Sequence, residues 1–325
     1  MIKRCLLLIL AMMLPIEAYA EWDAAKDSGS YKYEERKNIY AGDRLTFGIY
    51  TGVMNGEAHE LVYFGSHKLS ELIWDIRNAY MLGASVNAVI APSWGLKLNG
   101  SISSTITKSD STMDDFDWLI IGADWTHWSH HDNTKLERGL AIDLNVSKEV
   151  YASKDGSFAM DVALGFKRDN WRWSAAGGTF IYSTFTFRDT VGVFANIPVI
   201  SYEQTINTPY IGVSMNWHEG DFSLFTRVIG SIFVSADAVD HHYLRNLVFT
   251  DQFKSGKMIG IDLNWAYHLN EEMRCELIYS YQNYVTNRGD TSIYNQITGV
   301  VTVNPDTAGM SLSYHTIGLK FTYAF

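Results

Sequence analysis

Asp115 and Asp117 stand two residues apart in Asp115-Phe116-Asp117-Trp118, and Asp240 and His242 stand two apart in Asp240-His241-His242-Tyr243. Side chains at i and i+2 of an extended chain point to the same side. Each pair can therefore share one site if its segment is a strand. An acid beside a histidine orients the imidazole and stabilises its protonated form, which suits a general base. Two carboxylates a few ångströms apart resist joint ionisation and tend to hold one proton between them. Brought face to face, the two pairs would grip and activate a single water molecule, the chemistry of a hydrolase without a covalent nucleophile. Ser129, in Trp125-Thr126-His127-Trp128-Ser129-His130-His131, has no G-x-S-x-G elbow around it to make it a nucleophile. His130, His131, His241 and His242 do not have the spacing of a compact tetrahedral zinc set, so no metal enters this reading.

The elements that must carry these pairs are strands. In 140–146 the apolar set Leu140, Ile142, Leu144, Val146 alternates with Ala141, Asp143 and Asn145. In 259–269, Ile259, Ile261, Leu263, Trp265, Tyr267 and Leu269 alternate with Gly260, Asp262, Asn264, Ala266 and His268. The chain ends on Ile317, Leu319, Phe321, Tyr323 and Phe325, interleaved with Thr316, Gly318, Lys320, Thr322 and Ala324. The second face is small, polar and often charged, and the apolar face is rimmed by Trp and Tyr near strand ends. That is the pattern of a transmembrane barrel with lipid outside and a polar interior, closed so that no backbone group is left unpaired in lipid. The fold class expected is all-β: a ten-stranded antiparallel transmembrane β-barrel with long extracellular loops, its strands starting near 43, 69, 94, 135, 157, 200, 222, 256, 273 and 309. Short turns at 92–93, 154–156, 219–221 and 270–271 alternate with longer connections at 54–68, 114–134, 176–199, 239–255 and 286–308. Both acidic pairs then fall at the outer rim, in strands three and seven. A barrel this narrow is expected to fill its lumen with side chains rather than leave a pore.

Residues 1–20 read as a signal peptide, with Lys3 and Arg4 before the apolar run Leu6–Pro15 and Ala18-Tyr19-Ala20 at its end. Residues 21–42 are a polar lead-in, and 43–325 form the barrel. Removing 1–20 takes two cations and one anion from a net charge of −10, leaving −11. An acidic exposed surface disfavours nucleic acid and steers cationic substrates inward. With Cys5 gone, Cys275 has no partner for an intramolecular disulfide.

At these residues the chain resembles the omptin family, outer-membrane endoproteases of Gram-negative bacteria. The resemblance runs through Asp115-x-Asp117-Trp118, Trp125-Thr126-x-x-Ser129-x-His131-x-x-Thr134, the aromatic and double-glycine segment Trp171–Gly178, Thr208-Pro209-Tyr210-Ile211-Gly212, Asp240-x-His242-Tyr243, and Thr286–Tyr294, and it covers roughly 43–325. It implies an aspartyl endopeptidase in which Asp240 orients His242, His242 takes the proton of a water, and Asp115 and Asp117 hold the water or the oxyanion. Glu60, in Asn55-Gly56-x-x-x-Glu60-x-Val62-Tyr63, is implied as the carboxylate that receives a basic substrate side chain. His127, Ser129 and His131 are implied along the substrate cleft. Ala238 stands where many members carry a second acid, and His127 where the signature has Asp. Both changes remove negative charge and argue against a strict dibasic preference. The resemblance also implies lipopolysaccharide, required for activity and gripped from outside by Lys254, with Arg168 and Arg172 in place of basic residues that are Asn170 and Thr205 here. No other cofactor is expected, and the chain is expected to be a monomer. The alternative reading is a catalytically silent barrel of the same fold, acting as an adhesin or structural surface protein. Retention of Asp115, Asp117, Asp240 and His242 together favours the enzyme.

Overall fold

A β-strand facing lipid on one side and a lumen on the other must send alternate residues to opposite solvents. The computed structural model, which describes residues 45–325, does this strand by strand. On β13 (Val301–Ala324) Ile317, Leu319 and Phe321 are exposed on the outer wall, while Thr316 and Thr322 are buried inside. On β5 (His127–Ala152) Ile142, Leu144 and Val146 face out and Asp143, Asn145 and Ser147 face in. The other long strands are β1 (Leu45–Phe64), β2 (His67–Ala91), β6 (Phe158–Ala176), β9 (Pro198–Glu219), β10 (Phe222–His242), β11 (Leu247–His268) and β12 (Met273–Asn295). The remaining ring strand is in two pieces: β3 (Leu96–Thr105) pairs with β2 and β5 low in the wall, and β4 (Ser109–Asp117) pairs with the same two strands higher up. Antiparallel pairing of β1 with both β2 and β13 closes the sheet into a ring of ten staves. A small hairpin, β7 (Thr179–Tyr182) with β8 (Thr190–Val193), leans on the upper end of β5.

Most of the stretches expected as long connections turn out to be ladder. β1 continues without a break to Phe64, and the turn to β2 is only residues 65–66; β10 and β11 are joined by residues 243–246. Crossing a bilayer takes about 9–11 residues of tilted strand, so strands of 19 to 26 residues rise well above the lipid. Above the lipid both faces meet polar surroundings, the apolar alternation fades, and a reading based on alternation stops too soon. Only 118–126 and 177–197 keep the character of long connections, the latter holding the hairpin. The expectations for residues 1–20 and 21–42 lie outside the described residues.

The lumen has two storeys. Towards the short-turn end a cavity of about 410 Å³ is lined by polar and charged residues including Asp143, Asp161, Arg227, Asp262, Glu276 and Lys320. The expectation of a filled interior therefore holds only higher up. The charges here are matched: Arg227 Nη2 lies 2.8 Å from both Asp143 Oδ2 and Asp262 Oδ2, and Lys97 Nζ donates to Asp161 at 2.8 Å. Above the cavity, Lys167 Nζ donates to Asp169 at 2.6 Å and to the Tyr314 hydroxyl at 2.8 Å. Over that layer sits an apolar core inside the barrel. Trp171 stacks on Trp173, and Trp74 stacks on Tyr202 with ring centroids 5.8 Å apart. Trp74, Trp171, Trp173 and Tyr202 are at most 1% exposed, so this layer is a close-packed floor for whatever lies above it.

Candidate active site

Strand register fixes which side chains share a level, because directly paired residues point the same way. On one wall Glu60 of β1 pairs with Leu72 of β2, Leu72 with Asp115 of β4, and Asp115 with Ser129 of β5. Two residues higher, Asp117 lies between Ser70 and His127, and His127 pairs with Tyr182 of the hairpin. On the opposite wall Asp240 lies between Tyr202 of β9 and Phe249 of β11, with His242 one pleat above. β4 and β10 are separated by β5, β6 and β9 on one side of the ring and by five strands on the other. The two walls thus face each other across the mouth, with the tryptophan floor beneath.

On the β10 wall, Asp240 is 1% exposed in its side chain and its Oδ2 lies 2.5 Å from His242 Nε2. The contact is an ion-pair approach rather than an aligned hydrogen bond, so both Asp240 oxygens are left without an aligned donor. His242 packs its ring against Phe249 at 5.0 Å, and its engagement through Nε2 leaves Nδ1 as the nitrogen available to a ligand. On the β4 wall, Ser70 Oγ donates to Asp115 Oδ1 at 3.3 Å. Burial, and next the charge of Asp117, push Asp115 up to about 7, while His242 across the mouth pulls in the opposite direction. Asp117 is raised as well, chiefly by burial, against the pull of Ser70, His127, Arg245 and His242. His242 acting on both aspartates means that the two walls are within electrostatic reach. Two acids both raised by burial, with the charge of Asp117 acting on Asp115, favour a single proton shared between them.

Level with Asp115, Glu60 is raised well above the usual carboxylate range by burial first, with Asp240 and Asp251 adding to it. Asp251 of β11 is pushed up to about 6, again mainly by burial. Ser70, Asp251, Tyr182 and Arg245 were not visible as site residues in the sequence. Nothing distinguishes Ser70 or Asp251 from other polar residues of a lumen-facing alternation, and only the register brings them to the cleft.

The four residues expected along the substrate cleft stand at different depths. Glu60 and His127 reach the cleft. His127 lies against Tyr182 at 4.8 Å and its Nδ1 is 3.0 Å from Thr126 Oγ1. Ser129 stands level with Asp115 on the same face and His131 one pleat below it; both are buried, at 3% and 1% exposed, and bonded to each other. His131 Nδ1 donates to the Gly177 carbonyl at 2.5 Å, which leaves Nε2 to accept from Ser129 Oγ at 3.0 Å. The His131 ring also stacks on Phe194 at 5.4 Å, and burial lowers its basicity. These two residues fasten the double-glycine turn to β5, which is a positioning task. Gly178, at φ +113°, has no room for a side chain there, since a Cβ would lie 2.4 Å from the His130 carbonyl. Lys254 is exposed on the outward face of β11, where it can meet an external ligand.

The profile of the omptin family matches residues 41–325. The chain is an omptin. The plasminogen activator of Yersinia pestis is 27% identical over 291 residues, covering 87% of this chain and 90% of its own. Outer membrane protease OmpP of Escherichia coli is 27% identical over 296 residues, covering 88% and 92%. Outer membrane protease IcsP of Shigella flexneri is 26% identical over 270 residues, covering 81% and 84%. The crystal structure of outer membrane protease OmpT from Escherichia coli superposes with a TM-score of 0.84 at 23% identity, over 87% of this chain and 97% of that one. That likeness carries the barrel architecture. This omptin is accordingly a β-barrel of the Gram-negative outer membrane, in a family of proteases that act on peptide or protein substrates.

Proposed function

We propose that this omptin is an endopeptidase that cleaves peptide bonds beside basic residues on the extracellular side of the membrane. In this reading Asp240 holds His242, and a water lies between His242 and the Asp115/Asp117 pair. His242 Nδ1 takes a proton as the water oxygen bonds to the peptide carbonyl carbon. The proton held by the aspartate pair is donated towards the developing oxyanion. Collapse of the tetrahedral intermediate returns the oxyanion's proton to the aspartate pair and breaks the C–N bond, and the proton on His242 passes to the leaving amine. Glu60 receives the basic side chain through a charge-assisted hydrogen bond, and His127 borders the same cleft. The observation that carries the proposal is the pairing of Asp115 and Asp117 with His242 and Asp240 across one mouth, over a sealed floor.

Lipopolysaccharide is the lipid partner that fits this reading, with Lys254, Arg168 and Arg172 as its cationic contacts on the outer wall. Arg168 donates to Asn207 at 2.7 Å and Arg172 lies 4.0 Å from Glu203, so both are aimed along the outside of the barrel. The test of function is cleavage of an Arg- and Lys-rich peptide library by refolded protein with and without lipopolysaccharide. Products that disappear in His242→Ala support the endopeptidase. Absence of cleavage under every lipid and pH condition leaves the silent surface barrel.

A further inference from the structure

The buried acids of the lower lumen each have a cation: Asp143 and Asp262 have Arg227, Asp161 has Lys97, Asp169 has Lys167 and Glu276 has Arg274. Directly under the candidate site this rule fails. Glu60 is 4% exposed and Asp251 5%, yet Glu60 Oε2 and Asp251 Oδ1 have no hydrogen-bond partner among the described residues, and no Lys or Arg there pairs with either. An unpaired buried carboxylate is costly and a cation offsets that cost. In the empty pocket protons can neutralise these acids, and a cation from outside the chain can take the protons' place.

Strand register shows how the pocket is built. Gln204 of β9 pairs with Ala238 of β10, Ala238 with Asp251 of β11, and Asp251 with Thr291 of β12, so these four form one inward row. Gln204 is 0% exposed with both amide atoms unpartnered, the Tyr202 hydroxyl is unpartnered, and the Thr291 hydroxyl lies beside Asp251 without an aligned bond. Ala238 leaves a gap in the middle of the row, and Glu60 faces it closely enough for Asp251 to act on its titration. The row therefore combines two carboxylates with several orphaned acceptors. That set suits a guanidinium, which carries five donors in a plane, better than an ammonium with three.

We propose that Asp251 is the second carboxylate of the substrate pocket and that with Glu60 it selects arginine over lysine and over neutral side chains. An acid at position 238 would approach this space from β10; here it comes from the neighbouring strand, and Ala238 makes the room. The inference rests on the endopeptidase reading for the identity of the ligand as a substrate side chain. It is therefore tested by binding alone, in a form that cannot turn over.

Refolded full-length barrel carrying His242→Ala would be titrated calorimetrically in detergent micelles with three peptide amides that differ at one residue: arginine, lysine or citrulline, the last a neutral isostere of arginine. Arginine should bind at least about tenfold more tightly than citrulline, the yield expected of a charged hydrogen-bonded pair. Adding Asp251→Asn should remove about tenfold of the arginine affinity and leave citrulline unchanged, and Ala238→Asp with Asp251→Ala should restore the arginine preference. Equal losses for arginine and citrulline, or no loss for arginine, would overturn the assignment. Heat-modified gel mobility reports whether each variant is folded, and the relocated-acid variant keeps the question open to refutation if Asp251→Asn does not fold. Hydrolysis by the parent protein is scored separately. Binding with no hydrolysis counts against the peptidase, and hydrolysis with no dependence on Asp251 counts against the pocket.

Discussion

Asp240→Asn should abolish catalysis while making the protein more stable, and the two effects together distinguish a catalytic acid from a structural one. The substitution keeps the shape of the side chain but removes the charge 2.5 Å from His242 Nε2. An imidazole without its orienting carboxylate loses the correct tautomer and the stabilisation of its protonated form. A loss of about 10³- to 10⁴-fold is expected for such a change, which at 1.36 kcal/mol per decade is roughly 4–5.5 kcal/mol of barrier. The stability effect has the opposite sign. Asp240 is 1% exposed, neither oxygen has an aligned donor, and Glu60 and Asp251 lie in the same field. Replacing a carboxylate in that setting by an amide relieves the desolvation of its charge, on the order of 1–3 kcal/mol. kcat/KM would be read with an internally quenched arginine peptide, and stability from thermal unfolding in detergent followed by tryptophan fluorescence. A variant within about threefold of the parent in kcat/KM would refute the general-base assignment. A variant both inactive and clearly destabilised would show that Asp240 is a structural member whose loss distorts the rim.

Four further outcomes follow from the same geometry. Asp115, Asp251 and Glu60 are all raised in the folded barrel, the first two to about 7 and about 6, so the fold holds protons that the unfolded chain releases near its ordinary values. The contribution of Asp115 and Asp251 is full below the ordinary carboxylate range and is lost as pH rises through about 6 to 7; thermal midpoints at pH 5 should exceed those at pH 8, and Asp251→Asn should flatten the part near 6. The proton shared by the aspartate pair leaves as pH rises through about 7, so kcat/KM should decline on the alkaline side; a rate still climbing at pH 9 would remove that proton from the mechanism. Arg227→Ala strands Asp143 and Asp262 in the lumen and should cost about 3–5 kcal/mol in detergent unfolding, with the rim chemistry untouched. Gly178→Ala forces a Cβ against the His130 carbonyl at positive φ and should loosen the turn that His131 anchors; faster proteolysis at 177–197 together with a raised KM is the expected signature.

The sequence alone determined the class of the fold, because lipid imposes alternation wherever a strand crosses it: Ile142, Leu144 and Val146 could face only outward, and Asp143 and Asn145 only inward. It also marked Asp115, Asp117, Asp240 and His242, since residues two apart on a strand share a face whatever the rest of the chain does. The upper half of the barrel was not legible in the same way. From 54 to 64 and from 239 to 242 no lipid enforces a pattern, and only pairing with neighbouring strands reveals that these stretches are ladder. Tertiary structure alone decided that Ser129 and His131 are spent on each other and on Gly177, because that bond spans 46 residues. It alone set Asp251 beside Ala238, the juxtaposition on which the proposed second pocket carboxylate rests. Register between strands is a property of the closed ring, fixed by every hydrogen bond around it, and no local window of sequence contains it.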